Sequence, residues 1–378
     1  MAGNVGRPDG GDAQRKRAHV DAKAIVETEP KPDDILEGEA AIIACLRPLA
    51  AHEPGAHALR DDCASLTPPA GHDLVVKTDP IRAGLHFFAT DAPADLAWKA
   101  LAVNVSDLIA KGADPWVYTL ALALPASPRR AWMEAFADGL REAQAAFGFT
   151  LIGGDTDRVE RDLSLAITVI GLVPQGQMVR RGGGAPGDRI YVSGRLGASA
   201  AGLMLRQSEV SAAGGPAGTG DPTVNLGLDD EARARLIARY LRPAPTPALA
   251  SVVRSFASGA MDISDGLIKD LERMCKVGGF SARIDEAKVP LDADVAQLAA
   301  RDPTWLQRAM SHGDDYEVLA VVAEEAAACF EAAAAARDVE VAAIGHVLAT
   351  PDGKPPQVEV TGADGSARTF ERSGWDHF

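Results

Sequence analysis

Short apolar runs alternate with amphipathic stretches along most of the chain. The apolar runs at residues 74–76 and 163–173 predict buried strands, and apolar residues at helical spacing over residues 35–51 and 128–147 predict helices. Strands and helices predicted in this way interleave from residue 35 to residue 347. The pattern therefore predicts an α/β (or α+β) protein.

Polar residues end several of the apolar runs in a recurring way. The run at residues 74–76 ends in Lys77-Thr78-Asp79, where Pro80 predicts the end of the strand. Four other segments place aspartate after apolar and small residues: R-D-D-C-A (60–64), N-V-S-D-L (104–108), G-G-D-T (153–156) and M-D-I-S-D-G-L (261–267). Because Mg²⁺ prefers carboxylate oxygens and takes only one or two per ion, we expect these aspartates to converge on several Mg²⁺ ions and the phosphates of a nucleotide.

Asp107 lies in a predicted helix that is apolar around most of its circumference, with Asp95 at or near its N-cap. A carboxylate there needs a partner. Lys111, one turn later, allows an ordinary surface pair. The alternative is that Asp107 points at the same ions, with Asn104 as a polar neighbour.

The other motifs also have structural alternatives. Asp62 and Asp79 can simply accept backbone hydrogen bonds in a turn and at a strand end. The glycines before Asp155 allow either a close approach to phosphate or an ordinary β-turn. Ser264 and Asp265 precede a predicted helix whose N-terminus attracts phosphate, but either is also a suitable N-cap.

Composition narrows the possible partners. The chain of 378 residues has 38 Lys+Arg against 53 Asp+Glu, a formal charge of −15, which argues against nucleic acid or an anionic membrane as the main partner. The four cysteines are widely spaced without a C-x-x-C pair, so a zinc site or a disulfide framework is not expected. With no run of about 18 apolar residues and no signal-peptide core, the expected location is the cytoplasm.

The length suits two domains. Residues 1–33 are polar and rich in Gly, Pro and charge, which predicts a disordered extension. A flexible R-R-G-G-G-A-P-G-D stretch predicts the boundary between a first domain at 34–175 and a second at 176–348. Residues 349–378 are predicted to form a polar tail that contributes to the site.

In their order along the chain the motifs are more informative than each is alone. They are R-D-D-C-A, K-T-D-P-I-R-A-G-L-H-F, K-A-L-A-V-N-V-S-D-L-I-A-K-G-A-D-P, G-G-D-T-D-R, D-I-S-D-G-L, G-D-D-Y-E-V and the terminal G-W-D-H-F. This series resembles the thiamine-monophosphate kinase family, within the aminoimidazole ribonucleotide synthetase superfamily, over residues 35–378. Residues 99–115 and the terminal motif are the most family-specific parts.

The resemblance implies a homodimer of two-domain α/β subunits, in which the N-terminal sheets pair into a barrel-like interface. It also implies Mg²⁺-dependent transfer of the γ-phosphoryl group of ATP to thiamine monophosphate by direct in-line attack, without a protein nucleophile. The implied metal-associated residues are Asp62, Thr78, Asp79, Asp107, Asp155, Asp262 and Asp265. The implied nucleotide contacts are Gly154, Asp155, Arg181 and Ser264, and the implied substrate contacts are His86, Glu317 and Trp375.

Three positions depart from the family pattern. Arg60 stands where Gly usually precedes the Asp pair, Lys77 stands where Ser or Thr usually precedes Thr-Asp, and His312 replaces a Gly before Gly313. These departures affect the expected number of metal ions more than the expected reaction.

Two kinds of relative provide the alternatives. One is another ATP-dependent enzyme of the superfamily, such as aminoimidazole ribonucleotide synthetase or selenide-water dikinase; the dikinase needs a reactive Cys near its N-terminus, and Cys45 lies in a predicted helix without a Gly-rich loop. The other is a non-catalytic nucleotide-binding maturation factor, which uses a C-terminal Cys, whereas the last cysteine here is Cys329. The G-W-D-H-F ending favours thiamine phosphate.

Overall fold

The computed structural model describes residues 31, 33–215, 221, 223–224, 226–370 and 372–376. Within them the chain forms two β-sheets with helices packed on them, so the predicted mixed α/β class is confirmed. The extension predicted at residues 1–33 lies outside the described residues except for residues 31 and 33, and it stays a prediction.

The described part of the chain contains ten α-helices and eleven strands. The helices are α1 Glu39–Leu46, α2 Pro93–Ala110, α3 Arg130–Phe147, α4 Ala198–Ala212, α5 Asp230–Leu241, α6 Ala250–Phe256, α7 Leu267–Gly278, α8 Ala293–Arg301, α9 Thr304–Ser311 and α10 Ala327–Ala335. The strands are β1 His72–Arg82, β2 Asp114–Leu124, β3 Thr150–Arg158, β4 Ser164–Pro174, β5 Arg189–Ser193, β6 Ala257–Ile263, β7 Ser281–Asp285, β8 Glu317–Val322, β9 Val341–Leu348, β10 Val358–Thr361 and β11 Ala367–Arg368.

The first sheet has the strand order β1-β4-β2-β3 and is antiparallel except for the β2–β3 pair. The prediction that Pro80 ends its first strand is wrong, because β1 continues to Arg82 and Asp79 pairs with Ile167. Since β1 is an edge strand, the missing N–H of proline removes no hydrogen bond on its open side.

The two faces of this sheet differ. On β1, Val75 and Ile81 are buried against the helices, whereas Leu74 and Val76 on the opposite face are 45% and 59% exposed. The sheet is open rather than a closed barrel within the described residues. One of its faces therefore keeps exposed apolar side chains.

The G-G-D-T motif lies inside strand β3, so the alternative of an ordinary β-turn there is wrong. Gly154 has a φ of 156°, and a Cβ on it would lie 1.8 Å from the carbonyl oxygen of Leu120 on β2. Such a contact is impossible for a real side chain. The glycine is therefore required for β2 and β3 to pair at this point.

The second sheet has the strand order β11-β10-β7-β9-β5-β8-β6. Its outer strands β10 and β11 come from the polar tail predicted after residue 349; Val358 and Val360, which alternate with polar residues, are the sequence signal for β10. The predicted domain limits at residues 34–175 and 176–348 stay predictions.

Helix α2 lies between the two sheets. It contacts β1 and β4 of the first sheet and β6 and β8 of the second, and 13 of its 18 residues are buried. The helix begins at Pro93 with Ala92 as N-cap, and Asp95, predicted at or near the N-cap, lies in the first turn. Proline suits this start because the first helical N–H has no partner within the helix. No helix in the described ranges is long and apolar enough to cross a membrane.

Candidate phosphoryl-transfer site

The N-terminal side of the site is formed where β1 meets α2. Lys77 on β1 places its ammonium 3.1 Å from a carboxylate oxygen of Asp79 and 2.7 Å from one of Asp107 on α2. Burial lowers the pKa of Lys77, but Asp107 and Asp79 outweigh it, and the net shift is upward. Burial raises the pKa of Asp79, and Lys77 opposes this. The lysine is therefore a charged bridge between strand and helix.

Asn104 fixes the same junction through its amide. Its Oδ1 accepts the backbone N–H of Asp79 at 3.0 Å, and its Nδ2 donates to the carbonyl of Ala100 at 2.9 Å. The alternative of a surface pair between Asp107 and Lys111 is wrong, because Lys111 donates to the carbonyl of Ala260 at 2.5 Å while Asp107 binds Lys77. Asp107 thus faces β1 in the interior of the site.

Strand β6 brings a further carboxylate to α2. Asp262 is buried and accepts a hydrogen bond of 2.7 Å from the hydroxyl of Ser106, the residue next to Asp107. Burial raises the pKa of Asp262 well above its usual range, and the charge of Asp107 adds to this while Ser106 opposes it. A buried carboxyl beside another carboxylate is a position that a bound cation would stabilise.

The turn after β6 presents backbone N–H groups in an unusual way. The backbone N–H groups of Ser264, Asp265 and Gly266 donate at 3.1, 2.9 and 3.2 Å to one oxygen of Asp270, which is buried one turn into α7. The alternative of Ser264 or Asp265 as a plain N-cap is wrong, because the N-cap is Gly266 and it makes no side-chain capping bond. The carboxylate of Asp265 instead pairs with Arg273.

The C-terminal segment folds back onto this turn. The backbone N–H of Trp375 donates to the carbonyl of Asp265 at 2.9 Å, and Lys269 donates to the carbonyl of Trp375. The Trp375 side chain remains 50% exposed. Two backbone contacts therefore place a half-exposed indole beside an acidic turn.

Glu317 begins strand β8 and is nearly buried. It accepts a hydrogen bond of 2.7 Å from Ser193 and pairs with Arg239 at 3.3 Å. Burial raises its pKa to about 7, although both partners oppose the shift. A Cβ on Gly194 would lie 2.3 Å from the Glu317 carboxyl, so this glycine leaves the room that the Glu317 side chain occupies.

His86 lies near the cluster of Lys99, Tyr240 and Asp314. Its Nδ1 accepts the N–H of Arg82 at 3.1 Å, and its carbonyl accepts the Tyr240 hydroxyl at 3.4 Å. The buried Lys99 ammonium lies 3.8 Å from the centre of the Tyr240 ring and 3.0 Å from the Asp314 carboxylate. This cluster joins α2 to residues of α5 and of the loop before β8.

A cavity of about 840 Å³ lies next to Lys111, the residue after α2, and none of the predicted site carboxylates is among the residues that line it. Lys111, Arg180, Arg181 and Arg254 line it, together with the glycines of the stretch after β4. Burial lowers the pKa of Lys111 to about 8, and Arg181 adds to the shift. Three arginines and a lysine around one cavity favour an anionic ligand.

Three predicted residues lie apart from this arrangement. Asp62 and Asp155 are exposed, on the loop before β1 and on β3, and neither has a hydrogen bond or ion pair with the other predicted site carboxylates among the described residues. The Thr78 hydroxyl bonds Thr168 at 2.7 Å on the face of the sheet opposite to Asp79. A metal role for Thr78 stays a prediction, and the ligand atom would be its main-chain carbonyl oxygen.

The site offers carboxylate oxygens to Mg²⁺, but these oxygens do not already form a cluster around one point. No three His, Cys, Asp or Glu side chains in the described chain are grouped closely enough to hold a metal ion. Mg²⁺ takes one or two carboxylates and completes its shell with water and phosphate oxygens. The separate carboxylates of Asp79, Asp107, Asp262 and Asp265 fit that requirement.

The residues that position the site carboxylates and the turn after β6 are not evident from the sequence patterns. Ser106, Asp270 and Lys99 have clear structural roles, yet their partners are distant in sequence or are backbone groups. The only local signal is Asp270, which lies one helical turn after the Asp265-Gly266 pair. The contacts of Ser106 and Lys99 arise only in the folded chain.

Comparisons of the sequence with known proteins identify the family to which the chain belongs. Residues 60–173 match the family AIR synthase related protein, N-terminal domain, and residues 185–355 match AIR synthase related protein, C-terminal domain. Thiamine-monophosphate kinase of Salmonella typhimurium is 39% identical over 319 residues, covering 84% of this chain and 90% of that protein.

Solved structures point to the same family. The crystal structure of thiamine-monophosphate kinase from Stenotrophomonas maltophilia has a TM-score of 0.72 and 33% identity, covering 88% of this chain and 98% of that one. AaThiL complexed with AMPPCP and TMP has a TM-score of 0.68 and 27% identity, covering 90% and 97%. The chain therefore belongs to the AIR synthase related family and, within it, to the thiamine-monophosphate kinases.

Proposed function

We propose that this chain transfers the γ-phosphoryl group of ATP to thiamine monophosphate, giving thiamine diphosphate and ADP. The observation that carries the proposal is that Asp79 and Asp262, one from each sheet, lie at α2 beside Asp107, and that Lys111, directly after α2, lines a cavity together with three arginines. Acidic groups that hold cations, next to basic groups that hold phosphate, are what phosphoryl transfer requires. Membership of the kinase family supports the same reaction.

The proposed nucleotide contacts are Gly154, Asp155, Arg181 and Ser264. Arg181 lines the cationic cavity, where its guanidinium can bind phosphate oxygens through paired N–H groups. Ser264 lies in the turn that Asp270 organises. That AaThiL binds AMPPCP, an analogue of ATP, supports a nucleotide in the corresponding cleft of this chain.

Mg²⁺ is the proposed metal. When bound, it would supply the neutralisation of phosphate charge that in-line transfer needs. The residues that would hold it are Asp62, Thr78, Asp79, Asp107, Asp155, Asp262 and Asp265. The roles of these residues in the chain are to provide oxygen ligands and to fix the two ends of the site relative to each other.

The proposed substrate contacts are His86, Glu317 and Trp375. The thiazolium ring of thiamine monophosphate is a cation, and the Glu317 carboxyl is an anion partner when ionised. The half-exposed Trp375 indole offers a surface on which an aromatic ring can stack. His86 provides an imidazole for the substrate phosphate.

The proposed reaction needs no protein nucleophile. An oxygen of the substrate phosphate attacks the γ-phosphorus, the new P–O bond forms, and the bond to the bridging oxygen of ADP breaks. Because that attacking oxygen is already ionised near neutral pH, no strong general base is required. The protein contributes position and charge.

A homodimer is proposed through the exposed face of the first sheet. Leu74 and Val76 on this face pair in register with Leu172 and Ile170 of β4, so the apolar side chains form a patch. Pairing two such sheets would build the barrel-like interface implied by the family.

We also propose two domains, at residues 34–175 and 176–348, and a tail at residues 349–378 that contributes to the site. The proposed location is the cytoplasm, with which the free cysteines of the described chain are compatible.

The direct test is to incubate the purified full chain with MgATP and thiamine monophosphate and to measure thiamine diphosphate and ADP. We expect equal amounts of both products. Formylglycinamidine ribonucleotide, the substrate of the synthetase alternative, serves as the control acceptor. If that compound is consumed while no thiamine diphosphate forms, the proposal is wrong.

A further inference from the structure

Lys77 is a lysine on the inner face of a strand whose other inward residues are apolar or acidic. Val75 and Ile81 on this face are buried, and the Lys77 side chain is only 32% exposed. A partly buried ammonium is unfavourable unless it is paired. Lys77 has two partners, Asp79 at 3.1 Å and Asp107 at 2.7 Å.

Both partners are held in place by contacts that do not involve Lys77. The backbone N–H of Asp79 donates to Asn104 at 3.0 Å, which fixes this part of β1 against α2. Asp107 lies in a helix whose neighbouring residues Ser106 and Leu108 are fully buried. The ammonium therefore lies between two carboxylates that the fold itself has brought together.

We propose that the Lys77 ammonium is a permanent cation of the site and takes the place, between Asp79 and Asp107, of one divalent ion. The inference rests on the proposed function in that it assumes a site that binds divalent ions. It assigns to Lys77 the role of a positioning residue that neutralises two carboxylates.

Electrostatics explains why the lysine and an ion exclude each other. A divalent ion bound to the same two oxygens would lie within about 4 Å of the ammonium, where like charges repel strongly in a partly buried setting. The two oxygens that face Lys77, one from Asp79 and one from Asp107, can therefore serve one cation at a time, and the other oxygen of each carboxylate stays available for the Mg²⁺ proposed above. Because the lysine is covalently attached, it remains there when divalent ions are removed.

The experiment compares the full-length chain with Lys77→Met, which removes the charge, and Lys77→Arg, which keeps it. Mn²⁺ bound per chain is measured by equilibrium dialysis in the presence of saturating AMPPCP. We expect Lys77→Met to bind about one more Mn²⁺ per chain than wild type, because the freed carboxylate pair then takes an ion. Lys77→Arg should bind the same number as wild type.

A matched control removes a cation from an ion pair elsewhere. Arg283 on β7 pairs with Glu359 on β10 at 2.7 Å, outside the region around α2. Arg283→Met should leave the Mn²⁺ count unchanged. Equal counts in wild type and Lys77→Met, or a lower count in Lys77→Met, overturn the proposal.

Thermal melting covers the case in which Lys77→Met folds poorly. With EDTA, the variant should melt below wild type because Asp79 and Asp107 repel each other, and added Mg²⁺ should recover most of that difference. A loss that Mg²⁺ does not recover overturns the proposal. Neither the Mn²⁺ count nor the melting temperature depends on turnover. A chain that shows these shifts but does not phosphorylate thiamine monophosphate would disprove the proposed function and leave the proposal for Lys77 standing.

Discussion

Three carboxyl groups that are buried or nearly buried, on β6, α7 and β8, each have their own means of support. Asp262 has Ser106, Asp270 has three backbone N–H groups, and Glu317 has Ser193 and Arg239. In all three, burial raises the pKa more than the partners lower it. The fold therefore holds these groups at a cost in stability when they are ionised.

Glu317→Gln should make this cost visible as a pH dependence. The folded pKa of Glu317, about 7, lies above the ordinary glutamate pKa of 4.5, so between these values the folded state retains a proton that the unfolded state loses. Stability from this group is thus fully present below the unfolded pKa and is lost as the pH rises through the folded pKa. The variant lacks this loss.

The measurement is urea unfolding of both proteins at about pH 5.5 and about pH 7.5. The unfolding free energy of wild type relative to Glu317→Gln should fall by about 2 kcal/mol over this range. Glu325→Gln, at an exposed position, is the control and should run parallel to wild type. A constant difference between wild type and Glu317→Gln would contradict the assigned cause.

At the residue scale, the sequence indicated the carboxylates that lie together near α2 better than the residues that support them. Asp107 could be singled out because a carboxylate in an apolar helix is unusual. Only the structure shows that it pairs with Lys77 and not with Lys111. The supports are harder because Ser106 and Asn104 are ordinary helix residues until the sheets pack against them. Their roles depend on tertiary contacts, which no local pattern encodes.

At the element scale, the turn between β6 and α7 is organised from within the helix. Three consecutive N–H groups converge on one buried oxygen of Asp270, so the turn can be rigid without a capping side chain at its start. Gly313 packs against it, since a Cβ there would lie 1.9 Å from the carbonyl oxygen of Ser264. The backbone around Ser264 is therefore fixed on both sides.

Asp270→Ala should loosen this turn. The lost hydrogen bonds to a carboxylate are expected to lower the unfolding free energy by about 3 kcal/mol. AMPPCP affinity should fall as well, because Ser264 and Asp265 lose their fixed position. Urea unfolding and calorimetric titration with AMPPCP measure the two effects.

The control is Glu272→Ala on the exposed side of the same helix, which should change neither quantity. Asp270→Ala with normal stability would show that the three bonds contribute little. Normal AMPPCP affinity despite lost stability would show that the turn does not position the nucleotide.

Element prediction succeeded for long periodic segments and failed at their ends. Helix α3 and strand β4 were predicted to within two residues at each end. Strands β1 and β3 extend beyond their apolar runs because pairing with β4 and β2 continues through Thr78, Asp79 and Gly154. Pairing partners are not visible in a local pattern, so the polar extensions were interpreted as loops.

At the scale of the whole molecule, α2 and the Lys99 cluster join the two sheets. Lys99 from α2 binds Asp314 of the loop before β8 and lies over Tyr240 of α5. Ser106 of the same helix and Lys111, the residue that follows it, contact β6. The order of motifs along the chain indicated that the aspartates converge, but it could not indicate that one buried helix is the common scaffold. That follows only from how the sheets pack.

The exposed face of the first sheet supports the last prediction, which concerns assembly. Val76 is 59% exposed on this apolar face, in the edge strand β1. If the face is the dimer interface, Val76→Glu buries an unpaired charge there and should shift the protein from dimer to monomer at micromolar concentration. Sedimentation velocity of the purified chain measures the change.

Ile35→Glu is the matched control, because Ile35 is 58% exposed but lies outside the sheet, beside Arg129. It adds the same charge and should leave the dimer intact. Circular dichroism and thermal melting should show both variants folded, since neither side chain is part of the core. A dimer that persists in Val76→Glu would place the interface elsewhere, and a monomeric wild-type chain would show that there is no dimer. In either case the exposed apolar face of the first sheet would need another partner.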